Sequence, residues 1–193
     1  MGQPKLALPW GGRTILEAVV GAVRKADVKE VLVVIGPEGD ALGPLAKKAG
    51  ASVLQLAKQT DDMRQTVEHG LDWLQANLRP PPAEGDGWLL LPADHPCLDA
   101  AVIVDVLKAA AGGQCSIVVP VFAATRGHPT WIAWRHRAGI VSLAQGLGLN
   151  TYLRQQAHET LEVPVSVKGV VEDLDTPEDY RRLVEGQGGN QFH

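Results

Sequence analysis

Val31-Leu32-Val33-Val34-Ile35, stopped by Gly36-Pro37, is the stretch from which the rest of the chain can be read. Odd and even positions are equally apolar, so neither face of a strand built from them can meet water. A short run of this kind, with both faces hidden, is the mark of a buried strand in a parallel sheet. On its N-terminal side, Ile15, Leu16, Val19, Val20 and Val23 recur at helical spacing behind Thr14, a capping residue type. On its C-terminal side, Ala41 to Lys48 reads as a short helix ended by Gly50, and Ser52 to Leu56 as a second strand. A long helix follows behind Asp61 or Asp62 and reaches about Leu78, with Val67, Leu71 and Leu74 on one face.

The alternation continues past a turn-rich surface loop, Arg79 to Gly87. Trp88-Leu89-Leu90-Leu91-Pro92 is the most apolar short run and is expected to be a central strand. Then come a helix over Leu98 to Ala111, strands over Ser116 to Val121 and Thr130 to Trp134, and helical stretches from His136 to Leu143 and Asn150 to Ala157. Short strands are expected at Leu161 to Val167 and Val170 to Val171. Thr176, Pro177, Glu178 and Asp179 have the chemistry of a final helix start. Repeated βαβ units predict an α/β fold of three layers, Rossmann-like, with a mostly parallel sheet flanked by helices. Residues 1–185 are expected to form one domain and 186–193 a flexible tail.

A net charge of −4, with no basic cluster larger than Lys47-Lys48 or Arg181-Arg182, weighs against nucleic acid as a partner. No apolar run approaches the roughly 20 residues of a membrane span, and Met1 to Lys5 does not begin a signal peptide, so a cytoplasmic location is expected and no membrane partner. Cys97 and Cys115 lack metal-site spacing and are expected to be buried small hydrophobes.

Ligands of such sheets sit at the carboxyl ends of the strands, which directs attention to a few segments. Asp94, in Leu91-Pro92-Ala93-Asp94-His95-Pro96, leaves a buried strand end. A carboxylate there can anchor Mg²⁺ shared with phosphate oxygens, or simply hold a turn, with Asp99 a competing cap. Asp173 and Asp175 point to one side of an extended segment and can complete a metal site, although helix capping also explains acids there. Arg126-Gly127-His128-Pro129 combines a close-approach glycine with a stiffened turn, suited to substrate binding or to a plain surface turn. Lys5 can neutralise phosphate charge or be a surface lysine. Gln59 to Thr66 is a strand-to-helix junction fit for base or ribose recognition, or for capping alone.

Taken in order, Met1-Gly2-Gln3-Pro4-Lys5-Leu6, Asp62-Met63-Arg64, Asp94-His95-Pro96, Gly127-His128-Pro129 and Asp173-Leu174-Asp175-Thr176-Pro177-Glu178-Asp179 resemble the molybdenum cofactor nucleotidyltransferases. That family has the nucleotide-diphospho-sugar transferase-like fold, and the resemblance leans toward its cytidylyltransferases. It implies transfer of a nucleoside monophosphate, CMP favoured, from an NTP to a phosphorylated acceptor such as molybdopterin, with pyrophosphate released. Implied roles are catalysis by Lys5 and Asp94, and nucleotide binding by Gly2, Gln3, Lys5, Asp62, Met63, Arg64 and Thr66. Acceptor binding falls to Arg126, Gly127, His128 and Pro129, and Mg²⁺ binding to Asp94 with Asp173 or Asp175. A molybdoenzyme is the implied protein partner. Two departures stand out. Asp61-Asp62-Met63-Arg64-Gln65 replaces a Gly-Met-Ser-Ser-Ser-like loop, and the family's apolar first strand and Ala-Ala-Gly-x-Ser-x-Arg phosphate loop are missing ahead of Met1. An active transferase, extended ahead of Met1 in its natural form, is therefore expected beside one alternative: a catalytically weak or inactive nucleotide-binding or regulatory homologue without the phosphate loop. A flavodoxin-like domain gives no reason for the ordered motifs.

Overall fold

A computed structural model describes residues 4–188. A 3₁₀ turn at Lys5–Ala7 comes first, followed by a small antiparallel hairpin, β1 (Pro9–Trp10) and β2 (Arg13–Thr14), turned at Gly11-Gly12 with both φ values positive. Such a two-residue turn was not expected from the sequence, although Gly-Gly between short segments is its usual signal. Helix α1 (Ile15–Lys25) begins with a full capping box: the Thr14 hydroxyl accepts from the Glu17 amide and the Glu17 carboxylate accepts from the Thr14 amide. Strands β3 (Leu32–Ile35) and β4 (Ser52–Gln55) pair in parallel around α2 (Leu42–Lys48). Asp62 caps α3 (Met63–Asn77), as one of the two expected candidates.

The larger sheet contains β5 (Gly87–Leu90), β6 (Ile117–Phe122), β7 (Thr125–Arg126), β8 (Thr130–Ala133) and β9 (Thr160–Pro164). Strand β8 lies antiparallel between β5 and β6, and β9 is parallel to β6, so β5, β6 and β9 all run the same way. The helices α4 (Ala100–Ala111), α5 (Arg137–Val141), α6 (Leu149–Gln155) and α7 (Pro177–Gly188) complete the chain order. Val170–Val171 is not a strand: Lys168–Val170 forms a single 3₁₀ turn. Its backbone is used elsewhere, because the Val170 carbonyl accepts from the His128 amide (2.8 Å). Helix α7 runs through Gly188, into the segment expected to be a tail.

Three layers follow from side-chain alternation on the strands. Leu89 and Leu91 pack with Val23 of α1 and Val102 and Ile103 of α4. Trp88 and Leu90 point the other way, to Val67 and Leu71 of α3, Ile140 of α5 and Tyr152 of α6. In the same manner, Val33 packs with Leu16 and Val20 of α1, while Leu32 and Val34 lie against Gly70 of α3. Helices α1 and α3 thus cover both β3 and β5, one from each face. Among the described residues no ladder joins β3 to β5, so each keeps one edge unpaired. The expected α/β class and its helix-flanked layers are what the structure has. Among the described residues no helix is long and apolar enough to cross a membrane. Both cysteines are free thiols of intermediate exposure, and burial pushes Cys97 up to about 11.

Candidate functional site

The carboxyl ends of β5, β6 and β9 lie on one rim because these strands share a direction. Pro92 to Cys97 follows β5, Arg126 to Pro129 follows the β6–β7 turn, and Lys168 to Asp175 follows β9. Backbone bonds knit the three segments: the Leu174 amide donates to the Asp94 carbonyl (3.0 Å) and the His128 amide to Val170 (2.8 Å), while the Gly127 amide donates back to Pro120 of β6 (2.8 Å). Two glycines make the approach possible. A Cβ on Gly127 would overlap the Val170 carbonyl, and one on Gly169 would overlap the Cys97 carbonyl.

Lys5 sits at the centre of this rim. Its ammonium donates to Asp94 Oδ2 at 2.9 Å and to Asp175 Oδ1 at 3.4 Å. Partial burial pulls its pKa down, but the bonds and attraction to Asp94, then Asp175, outweigh it and leave the group above the ordinary lysine value. A cation therefore stands between two carboxylates brought together from distant parts of the chain. Leu174, between Asp173 and Asp175, is buried (1% exposed), which turns both aspartates outward. Asp175 reaches Lys5, and Asp173 lies close enough to His128 for its charge to be felt there.

Behind the carboxylates lie two histidines. The rings of His95 and His128 meet edge to face, centroids 5.3 Å apart. Burial, reinforced by the neighbouring His95, lowers His128 to about 4, against the opposing effect of a bond to the Leu90 backbone. His128 is thus a neutral imidazole at neutral pH. His95 is only 5% exposed. The side-chain atoms Asp94 Oδ1, His95 Nδ1 and His128 Nδ1 are all buried without a hydrogen-bond partner, which is costly unless something else uses them. His95 had no prominence in the sequence. Its only signal was an ionisable residue set between Asp94 and Pro96.

The other expected residues are placed as follows. The Asp62 carboxylate is committed to the cap of α3, accepting from the Gln65 amide (2.9 Å). Thr66 Oγ shares a bond with Thr60 Oγ (2.7 Å), and Met63 is exposed. Arg64 is buried: its guanidinium donates to Glu68 (3.0 Å) and to the Leu143 carbonyl (3.2 Å), tying α3 to the end of α5. Arg126 pairs with Glu162 on β9 (2.7 Å), outside the Lys5 cluster. Gly2 and Gln3 lie outside the described residues.

The donor set fits a hard divalent cation. Carboxylate oxygens and few of them, with room left for water and phosphate, are what Mg²⁺ or Mn²⁺ takes. The ammonium already held by Asp94 Oδ2 marks the position. Among the described residues no group of three or more His, Cys, Asp and Glu forms a cage; an ion held at Asp94 would take one or two carboxylates from the chain.

Residues 1–160 match the family model described as MobA-like NTP transferase domain. The chain is 30% identical over 181 residues to phosphoenolpyruvate guanylyltransferase of Rubrobacter xylanophilus, covering 92% of this chain and 81% of that protein. Among solved structures it resembles Rv0371c of Mycobacterium tuberculosis in complex with manganese, at 25% identity, TM-score 0.74, and coverage of 95% and 93% of the two chains. A cytidylyltransferase from Leptospira borgpetersenii shares the fold at 20% identity, TM-score 0.72, and coverage of 93% and 77%.

Proposed function

The chain belongs to the family of MobA-like NTP transferase domains and is a nucleotidyltransferase, and from that premise we propose that it transfers CMP from CTP to a phosphorylated acceptor of the molybdopterin kind. The observation that carries the site is the Lys5–Asp94–Asp175 cluster at the carboxyl rim of the sheet. In this reading Asp94, with Asp173 or Asp175, holds Mg²⁺. The ion, when bound, screens the charge on the triphosphate. Lys5 leaves the carboxylates for the phosphates as the nucleotide enters. The junction from Gln59 to Thr66 lies near the base and ribose, and Gly127-His128-Pro129 lines the acceptor side. An oxygen of the acceptor's phosphate attacks the α-phosphorus, the bond from the α-phosphorus to the bridging oxygen breaks, and pyrophosphate departs with that electron pair. No protein nucleophile enters. The residues contribute position and charge neutralisation.

The guanylyl-transferring relative favours one second reading, GTP as donor and an enol phosphate as acceptor. In either reading residues 1–185 act as a single nucleotidyltransferase domain. Calorimetry with CTP, GTP and ATP in the presence of Mg²⁺ tests the choice. CTP binding at least ten times tighter than GTP supports the first reading, and the reverse order supports the second. Failure of all three to bind would leave a homologue without transfer activity.

A further inference from the structure

We propose that His95 is a positioning residue that orients the Asp94 carboxylate toward a divalent metal ion, a role that rests on the metal reading above. The two oxygens of Asp94 have different surroundings. Oδ2 faces Lys5 at 2.9 Å. Oδ1 is buried, has no hydrogen-bond partner, and lies 3.9 Å from His95 Nε2. A metal-bound carboxylate usually has its other oxygen held by a donor, which fixes its direction and tunes its basicity. The imidazole N–H is the donor nearest to hand, and about 1 Å of closure makes the bond.

The ring is placed for this by its neighbours. Its edge-to-face contact with His128 sets its tilt. His128 is in turn held by its own amide, which donates to the Val170 carbonyl (2.8 Å). Had only shape mattered at position 95, a phenylalanine would keep the contact with His128 without an unpartnered ring nitrogen, His95 Nδ1, in the interior. Burying an imidazole beside an equally unpartnered carboxylate oxygen makes sense when the two work together.

The test is Mn²⁺ affinity of the full chain, read by the electron paramagnetic resonance of free Mn²⁺, with a non-hydrolysable CTP analogue present. His95→Phe removes the N–H and keeps the ring's bulk; a loss of about 10- to 100-fold in affinity is expected. His95→Gln restores a donor near the Nε2 position and should recover most of the loss. His95→Asn, whose amide ends near the Nδ1 position, should not. Metal-free melting temperatures identify any variant that fails to fold, and if His95→Phe fails, the contrast of Gln with Asn carries the test. Kinetics add a second readout: the Mg²⁺ concentration for half-maximal rate should rise in His95→Phe while kcat at saturating Mg²⁺ stays near that of the unaltered chain. Equal Mn²⁺ affinity in the unaltered chain and His95→Phe, or recovery by Asn as good as by Gln, overturns the role of His95 alone. No Mn²⁺ binding by the unaltered chain overturns the metal reading, and this proposal with it.

Discussion

Lys5 holds together two carboxylates, those of Asp94 and Asp175, that would otherwise repel each other across the rim. It stands where the metal is proposed to go, so it competes with the ion until phosphates draw it away. Lys5→Ala should therefore bind free Mn²⁺ more tightly than the unaltered chain does, yet lose about 10²- to 10³-fold in transfer rate. Titration of Mn²⁺ without nucleotide, beside a pyrophosphate-release assay, checks both halves. Weaker Mn²⁺ binding in the variant would contradict the competition. Asp94 and Asp175 were legible in the sequence because strand ends of an α/β sheet index the ligand rim, whereas Lys5, ahead of the first strand, was singled out from plain surface lysines only through the family resemblance. Arg64 was legible only as a polar residue at a strand-to-helix junction. Its burial against Glu68 and Leu143 depends on how α5 docks on α3, which no local pattern encodes. His95 was hidden for the same reason, since its surroundings come from the His128 loop.

At the scale of elements, the helix starts were the most readable features. Thr14, Asp62, Asp99 and Thr176 each receive an amide at their own helix start, because capping depends on residues a few places apart. Turns were less readable. The two-residue turn between β6 and β7 uses Ala123 and Ala124, both with positive φ, 47° and 66°. Alanine lacks the signals of such a turn, and its Cβ is strained in this left-handed region. Ala124→Gly removes that strain at the cost of some chain entropy, and should raise stability by about 0.5–1 kcal/mol. Urea denaturation monitored by circular dichroism measures it. A loss of stability would mean that the turn is not as described. Strand Val170–Val171 failed as an expectation because a β-branched pair was read locally, whereas the backbone there is drawn to His128 by a tertiary bond.

Over the whole molecule, the apolar run Val31 to Ile35 pointed to the class that the layering of α1 and α3 over β3 and β5 shows, although only Ile35 of the run is buried because β3 keeps one edge unpaired among the described residues. The antiparallel place of β8 was not readable, because strand direction inside a sheet is set by packing across the chain. Stability against pH is also a property of the whole. His136 joins Tyr152 (2.8 Å) and Ser116 (2.7 Å), and Glu159 bonds Ser116 and Arg135. Burial first, then Arg135, lowers the pKa of His136, with Glu159 opposing. The unfolded chain therefore takes up a proton at a higher pH than the folded one. The resulting stability is present above about pH 6.5 and is lost as pH falls toward the folded value, by up to about 1.4 kcal/mol per pH unit for each proton. His128 acts with the same sign down to about 4. Thermal melts between pH 8 and pH 5 should show a shallower loss in His136→Gln than in the unaltered chain, and parallel slopes would contradict this. The most direct test of transfer at the Asp94 rim uses CTP labelled at the α-phosphorus, molybdopterin and Mg²⁺. Label moving into the acceptor with release of pyrophosphate, and a fall of at least 10²-fold in Asp94→Ala, is the expected result; equal transfer by Asp94→Ala would contradict it.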